Sequence, residues 1–195
     1  MSIYRGTHGT STKRADLIQA NGFEVSAVAK AGSGVYLWAY ADDSSTARDL
    51  AIGWYWKQVG WRKFADELKP NWSVLYAEVE ADDDACFDCN TIAFREALFG
   101  YLRKLGRAND EGYTDDDLCA AYNTLIKRVE AKVGREFCVI HTCVTLPKGV
   151  ALKEKVAGGD PFVHIVRKDP VKLRVIDREN ESDGDDMDVA VAVAG

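Results

Sequence analysis

Segments with strand character gather toward the two ends of this chain, and two amphipathic helices lie between them. The clearest strand is predicted over residues 74–79, which are apolar and bounded by polar residues. Apolar residues recur with helical spacing over 94–105 and again over 118–133. Because strands and helices do not alternate regularly, this order predicts an α+β fold with a mostly antiparallel sheet.

Shorter patterns predict the remaining elements. Ser11 or Thr12 is expected to cap a helix that ends at Asn21 and Gly22, because glycine suits the left-handed position after a helix. Thr114 is expected to cap the helix that contains 118–133. Further strands are predicted at 3–7, 35–38, 137–146, 162–166 and 172–176, and further helices after Ser44 and over 61–68.

Acidic residues concentrate at the C-terminal end. Residues 179–195 hold six of the 31 acidic residues and no lysine or arginine, so residues 1–178 carry 25 acidic and 25 basic residues. We therefore predict one domain over 1–178, which contains the helical block at 91–136, followed by an acidic, mobile tail at 179–195. A neutral body is not typical of a basic nucleic-acid-binding module, but it is compatible with a local basic groove.

Apolar runs and cysteines bear on the cellular setting. The longest apolar runs are far shorter than the roughly 20 residues that span a bilayer, and the first residues do not resemble a secretion signal. Five cysteines, an odd number, are typical of reduced thiols in a cytoplasmic protein. Cys86 and Cys89, with Cys138, His141 and Cys143, offer a zinc site as an alternative, but core cysteines are the favoured interpretation. We expect a cytoplasmic protein with no metal and no membrane attachment.

Five short motifs follow one another over the first 80 residues: THGT at 7–10, ANGF at 20–23, GSGVYLW at 32–38, SSTA at 44–47 and VLYAEV at 74–79. Together they resemble the catalytic domain of the diphtheria-toxin-like and poly(ADP-ribose) polymerase-like ADP-ribosyltransferases. The resemblance extends over about residues 3–80 and is weaker over 137–177. It implies an ADP-ribosyltransferase-like fold, with a split antiparallel sheet, flanking helices and an inserted helical pair.

The resemblance also implies roles around NAD, the co-substrate. His8 would hydrogen-bond the ribose, and the backbone of Gly9 would bind the nicotinamide carboxamide, with Thr10 beside it. Tyr36 would stack on the nicotinamide ring. Positioning and electrostatic stabilisation would then promote cleavage of the bond between ribose and nicotinamide.

Two hydroxyl groups at the start of a predicted helix and one arginine are the remaining NAD contacts that we expect. Ser44 or Thr46 would place a hydroxyl near the carboxamide. Arg5 is a candidate ligand of an NAD phosphate, because residues 4–6 also resemble the first motif of arginine-type ADP-ribosyltransferases. That second family needs further motifs, and only Glu78 and Glu80 have matching spacing.

His164 stands where polymerising family members carry a catalytic glutamate, when the later strand is aligned on Asp169-Pro170. Members without that glutamate transfer a single ADP-ribose, and some are inactive. A histidine there would hydrogen-bond the ribose or act as a base, while the alternative is a side chain that merely points off a strand. Trp38, Tyr40 and Trp54 are candidates for a second aromatic group over the nicotinamide.

The sequence says less about the molecule that accepts ADP-ribose than about NAD, the molecule that donates it. Arginines and lysines on the predicted inserted helices are expected either to form a solvated surface or to hold the phosphates of a nucleic acid, with RNA preferred over DNA. The short chain resembles small bacterial toxins, including toxin–antitoxin enzymes of phage defence, so an antitoxin is a further expected partner. Alternatives are a protein acceptor, a plain NAD glycohydrolase and a catalytically silent binding module of the same fold.

Overall fold

The computed structural model describes residues 1–27, 29–68, 70–105, 112–145, 160–167 and 172–182. The Asp169-Pro170 pair used to align the later strand lies outside the described residues, as does the predicted tail beyond residue 182. Within the described ranges the protein is an α+β structure, as predicted, with one open sheet of seven strands.

The sheet has the strand order β4-β5-β6-β2-β1-β3-β7. Every neighbouring pair is antiparallel except β4 and β5, which confirms the predicted mostly antiparallel sheet. The strands are β1 Ser2–Ser11, β2 Val35–Tyr40, β3 Trp72–Ala81, β4 Cys86–Asp88, β5 Val139–Cys143, β6 Phe162–Val166 and β7 Lys172–Asn180.

The two central strands β1 and β2 share a short pairing. β1 pairs with β3 over all ten of its residues, from Ser2 to Ser11. Its pairing with β2 has only three residue pairs and ends where Thr7 faces Trp38. The strands therefore form one sheet rather than two, but its central seam is hydrogen-bonded over a small part of its length.

Four helices accompany the sheet in the described ranges, namely α1 Thr12–Asn21, α2 Ser45–Gly60, α3 Ile92–Lys104 and α4 Asp115–Val133. The predicted caps at Ser11 and Thr114 are confirmed. Ser11 accepts a hydrogen bond from the N–H of Arg14. Gly22 follows α1 with a positive φ of 85°, but its ψ of 176° lies outside the left-handed helical region that was expected. Thr114 and Asp117 form a reciprocal capping box at the start of α4.

One predicted helix is wrong, one strand was not predicted, and several boundaries differ, since β1 and β3 extend beyond the predicted 3–7 and 74–79 and β5 covers less than the predicted 137–146. Residues 61–68 form turns and bends rather than a second short helix, and β4 has no counterpart among the predicted strands. The predicted start of the tail falls inside β7, where Glu179 pairs with Val74 and bonds to Arg48. Residues 179 and 180 therefore belong to the sheet.

The sheet has a separate apolar core on each face. The helical face, covered by α2, α3 and α4, carries Trp38, Val163 and Ile165. The opposite face carries Leu37 and Val166, among others. None of the helices in the described ranges combines the length and the hydrophobicity that a bilayer span requires.

Candidate functional site

His8 lies on β1 where the pairing with β2 has ended, and its ring links the two strands. Its Nδ1 lies 3.1 Å from the carbonyl oxygen of Tyr36, and its ring meets Phe23 edge-on with centroids 5.4 Å apart. A carbonyl oxygen only accepts, so Nδ1 carries the proton and Nε2 keeps its lone pair. Burial lowers the pKa of His8 despite the opposing effect of this bond, which favours the neutral ring.

Tyr36 directs its side chain to the helical face, whereas His8 packs on the opposite face beside Phe23. The Tyr36 hydroxyl donates to the carbonyl of Gly32 at 2.7 Å and accepts from the N–H of Ala31 at 2.9 Å. Burial raises the pKa of this phenol. The structure thus joins His8 to the backbone of Tyr36 but does not bring the two rings together.

Gly9 packs against helix α2. A Cβ atom at this position would lie 1.8 Å from the carbonyl oxygen of Ala51. Thr10 beside it is 4% exposed. The glycine of the THGT motif therefore has a packing role, because a side chain would separate the helix from the sheet.

Ser44 and Thr46 lie at the start of α2. Ser44 precedes the helix without a side-chain capping bond, and Thr46 is exposed. Asp43 supplies the local bonds instead, accepting from the backbone N–H and the hydroxyl of Ser45, each at 2.9 Å. The two predicted hydroxyls are accessible in part, but they do not line the cleft described next.

An open cleft of about 800 Å³ lies where β1 begins, β2 ends and β6 begins. Of the predicted NAD contacts, Arg5 and His164 line it, and so does Tyr40, a predicted candidate for the second aromatic group. Its volume falls within the range of small-molecule sites. Its other walls come from Ile3, Tyr4, Ala39, Ala41, Asp88, Asn90, His141, Phe162 and Val163.

Arg5 is partly occupied by an ion pair. Its Nε donates to Glu78 at 3.2 Å, and Arg174 donates to the other oxygen of the same carboxylate at 2.7 Å. These two arginines, Arg174 first, lower the pKa of Glu78. Glu78 is 8% exposed. Glu78 and Glu80 both lie on β3 and form ion pairs with basic residues of the neighbouring strands β1 and β7, so their spacing has a structural role. The Arg5 side chain remains 48% exposed at the cleft.

His164 faces a second histidine, which the sequence suggested only as a zinc ligand. His141 lies directly opposite it across β5 and β6, and their Nδ1 atoms are 2.8 Å apart. The ring of Tyr4 packs on both, with centroids 4.6 Å and 5.3 Å away. Burial first, and then the neighbouring His141, lower the pKa of His164 to about 4.

His8 and His164 lie on the same face of the sheet but do not share a cavity. Leu37 of β2 pairs with His164 and is fully buried, and it occupies the strand between β1 and β6. Among the other aromatic candidates, Trp38 is buried and Trp54 packs on Trp61. No group of three or more histidine, cysteine or acidic residues in the described ranges is arranged to hold a metal ion.

The basic residues of α3 and α4 are exposed. These exposed residues are Arg95, Arg103, Lys104, Lys127, Arg128 and Lys132. Arg128 lies over the ring of Tyr101 at 5.6 Å. Arg107, the remaining predicted basic residue of the first helix, lies outside the described residues.

No protein-family model matches the chain, and neither a curated protein nor a solved structure matches it.

Proposed function

We propose that the chain is an NAD-dependent mono-ADP-ribosyltransferase, which transfers ADP-ribose to a macromolecular acceptor and releases nicotinamide. The observation that carries the proposal is that His8, Tyr36 and His164 lie on three adjacent central strands, in the order β1, β2 and β6. The motifs from which these residues were chosen are far apart in the sequence. The fold brings these motifs onto neighbouring strands, with His8 bonded to the Tyr36 backbone and with the rings of His8 and His164 on one face of the sheet and that of Tyr36 on the other.

The state of His8 suits the proposed donor chemistry. A neutral imidazole whose Nδ1–H is held by the Tyr36 carbonyl offers the Nε2 lone pair to a ribose hydroxyl. Arg5, at the cleft, supplies a cation for a phosphate. In the reaction the bond between ribose C1′ and the nicotinamide nitrogen breaks, and nicotinamide leaves with the electron pair. An acceptor nucleophile then bonds to C1′ and loses its proton to water.

The proposed acceptor is a nucleic acid, RNA before DNA. The support is that the arginines and lysines of α3 and α4 are exposed and therefore available for phosphate contacts. A protein acceptor is the alternative. The proposal includes a toxin-like role in the cytoplasm, such as phage defence, with an antitoxin as partner.

A binding module of the same fold without NAD turnover is the second candidate. The observations that favour it are the double hydrogen bonding of the Tyr36 hydroxyl and the contact of Gly9 with Ala51. Both groups have structural roles, so the motif residues would be retained without catalysis.

Incubation with NAD labelled in its adenylate phosphate, in the presence of RNA, DNA and a protein extract, separates these functions. Label on nucleic acid that nuclease removes supports the proposal in full. Label that only protease removes supports transfer to protein. Free ADP-ribose alone indicates a glycohydrolase, and intact NAD with all three acceptors supports the binding module.

A further inference from the structure

His141 and His164 form a close pair on the opposite face of the sheet from the helices. They are directly paired residues of β5 and β6, and their rings are nearly perpendicular, at 83°. The 2.8 Å between the two Nδ1 atoms is a hydrogen-bond distance. Because both atoms are ring nitrogens, the contact requires one proton between them.

The surroundings keep this pair neutral. Burial lowers the pKa of both rings, and the charge of Asp88, which is level with His141 on β4, opposes the lowering of the His141 pKa only in part. Tyr4 covers both rings from β1. A neutral imidazole has one N–H, so the ring that donates Nδ1–H keeps a lone pair on Nε2. The ring that accepts carries its proton on Nε2.

The far nitrogen of His141 decides which ring donates. Its Nε2 is buried and has no hydrogen-bond partner among the described residues. A buried N–H without an acceptor costs about 1–3 kcal/mol, and orphaned buried N–H groups are rarer than under-satisfied acceptors. The favoured arrangement therefore leaves a lone pair, not a proton, at this buried nitrogen.

We propose that His141 is a positioning residue. Its Nδ1–H donates a hydrogen bond to Nδ1 of His164, and this bond keeps the proton of His164 on Nε2. His164 is then a hydrogen-bond donor in the wall of the cleft rather than a base. Its Nε2–H suits a ligand oxygen, such as a phosphate, carbonyl or hydroxyl oxygen. This assignment does not depend on the proposed transferase activity.

The weak basicity of His164 agrees with this role. A general base works best when its pKa lies near the working pH, whereas the pKa of His164 is lowered to about 4. A neutral ring whose lone pair is already engaged has an N–H to offer over the whole range from about pH 5 upward. The predicted base function of His164 would need the opposite direction of the hydrogen bond.

Nitrogen-15 NMR of the histidine side chains tests the assignment directly, because the chain has only three histidines. At pH 7 we expect protonated Nδ1 in His141, protonated Nε2 in His164 and a scalar coupling between the two Nδ1 atoms. His8 is the internal control, since the Tyr36 carbonyl holds its proton on Nδ1. A His164 with its proton on Nδ1, or the absence of the coupling, overturns the proposal.

Two variants separate positioning from packing. His141→Asn places an amide N–H near the former Nδ1, so His164 should keep its proton on Nε2. His141→Leu removes the donor and the neighbouring imidazole, so His164 should populate both tautomers, and its pKa should rise only in part because burial, the larger cause of its lowering, remains. An unchanged His164 spectrum in folded His141→Leu contradicts the proposal. If that variant does not fold, the proposal is contradicted by loss of the His164 Nε2 proton in His141→Asn.

Discussion

Gly9 of β1 and Ala51 of α2 lie in direct backbone contact, so close that a Cβ on Gly9 would be 1.8 Å from the Ala51 carbonyl oxygen. The neighbouring Thr7 reinforces this contact, because its hydroxyl donates to the carbonyl of Ala47 at 2.6 Å. Helix α2 is thereby held on the same strand that carries His8. The absent side chain of Gly9 makes room for the helix, while the expected role of its backbone toward NAD stays a prediction.

Gly9→Ala should destabilise the protein by about 3 kcal/mol or more, because the new methyl group meets backbone that cannot rotate away. Urea denaturation followed by tryptophan fluorescence measures the change. Gly100→Ala in α3 is the matched control, since nothing lies within 4 Å of the added methyl group. That control should be neutral or stabilising by up to about 1 kcal/mol, and equal stability of Gly9→Ala and the wild type would exclude the contact.

Tyr36→Phe should cost about 1–3 kcal/mol, because it leaves the N–H of Ala31 and the carbonyl of Gly32 without the phenol that joins them. The same denaturation experiment measures it. Tyr101→Phe is the control and should change stability by less than about 0.5 kcal/mol, since its ring remains available to Arg128. Two equal losses would mean that the Tyr36 hydroxyl bonds are unimportant. A loss of activity in a Tyr36 variant therefore indicates a role in catalysis only if the stability of that variant is measured as well.

Local chemistry explains which parts of the fold could be predicted. Ser11, Gly22 and Thr114 mark helix ends through bonds to residues three or four positions away, so the sequence contains the whole signal. β4 was missed because it has three residues and is completed by β5, some fifty residues later. Glu179 was assigned to a tail from its acidic neighbours, but its partner Arg48 lies on α2.

The candidate site was predictable residue by residue but not as an assembly. His8 and His164 were selected from motifs, yet the partner of His164 depends on which strands are neighbours. Histidines 141 and 164 meet because β5 and β6 pair in one particular register. A shift of one residue would direct one of the two rings to the other face of the sheet. Strand pairing is non-local, so spacing along the sequence does not contain it.

Stability should fall as the pH is lowered from about 6.5 toward 4, in part because of His164. Its pKa is about 4 in the folded protein and about 6.5 when unfolded, so the unfolded state binds more protons within this window. His164→Gln should therefore lose less stability than the wild type between pH 7 and pH 4.5, as measured by urea denaturation at several pH values. Tyr101→Phe keeps all three histidines and should retain the wild-type slope. An unchanged slope in His164→Gln would contradict the lowered pKa.

Charge reversal on α3 tests the nucleic-acid acceptor. Arg103→Glu with Lys104→Glu should reduce labelling of RNA severalfold, and added salt should reproduce the effect in the wild type, because phosphate contacts release counterions. Nicotinamide release in the absence of acceptor should not change. Lys13→Glu with Lys63→Glu reverses the same number of charges near α1 and should leave RNA labelling intact. Equal effects of both double variants would indicate net charge rather than a docking surface.

The rate of nicotinamide release by His8→Asn, compared with the wild type, tests the transferase proposal most directly. The asparagine amide N–H can replace Nδ1–H as the donor to the Tyr36 carbonyl, but the variant lacks the Nε2 lone pair proposed for the ribose. We predict measurable release by the wild type and a loss of about a hundredfold in the variant, with unfolding free energy nearly unchanged. Equal rates in the two proteins, or no release by the folded wild type with any acceptor, would contradict the account.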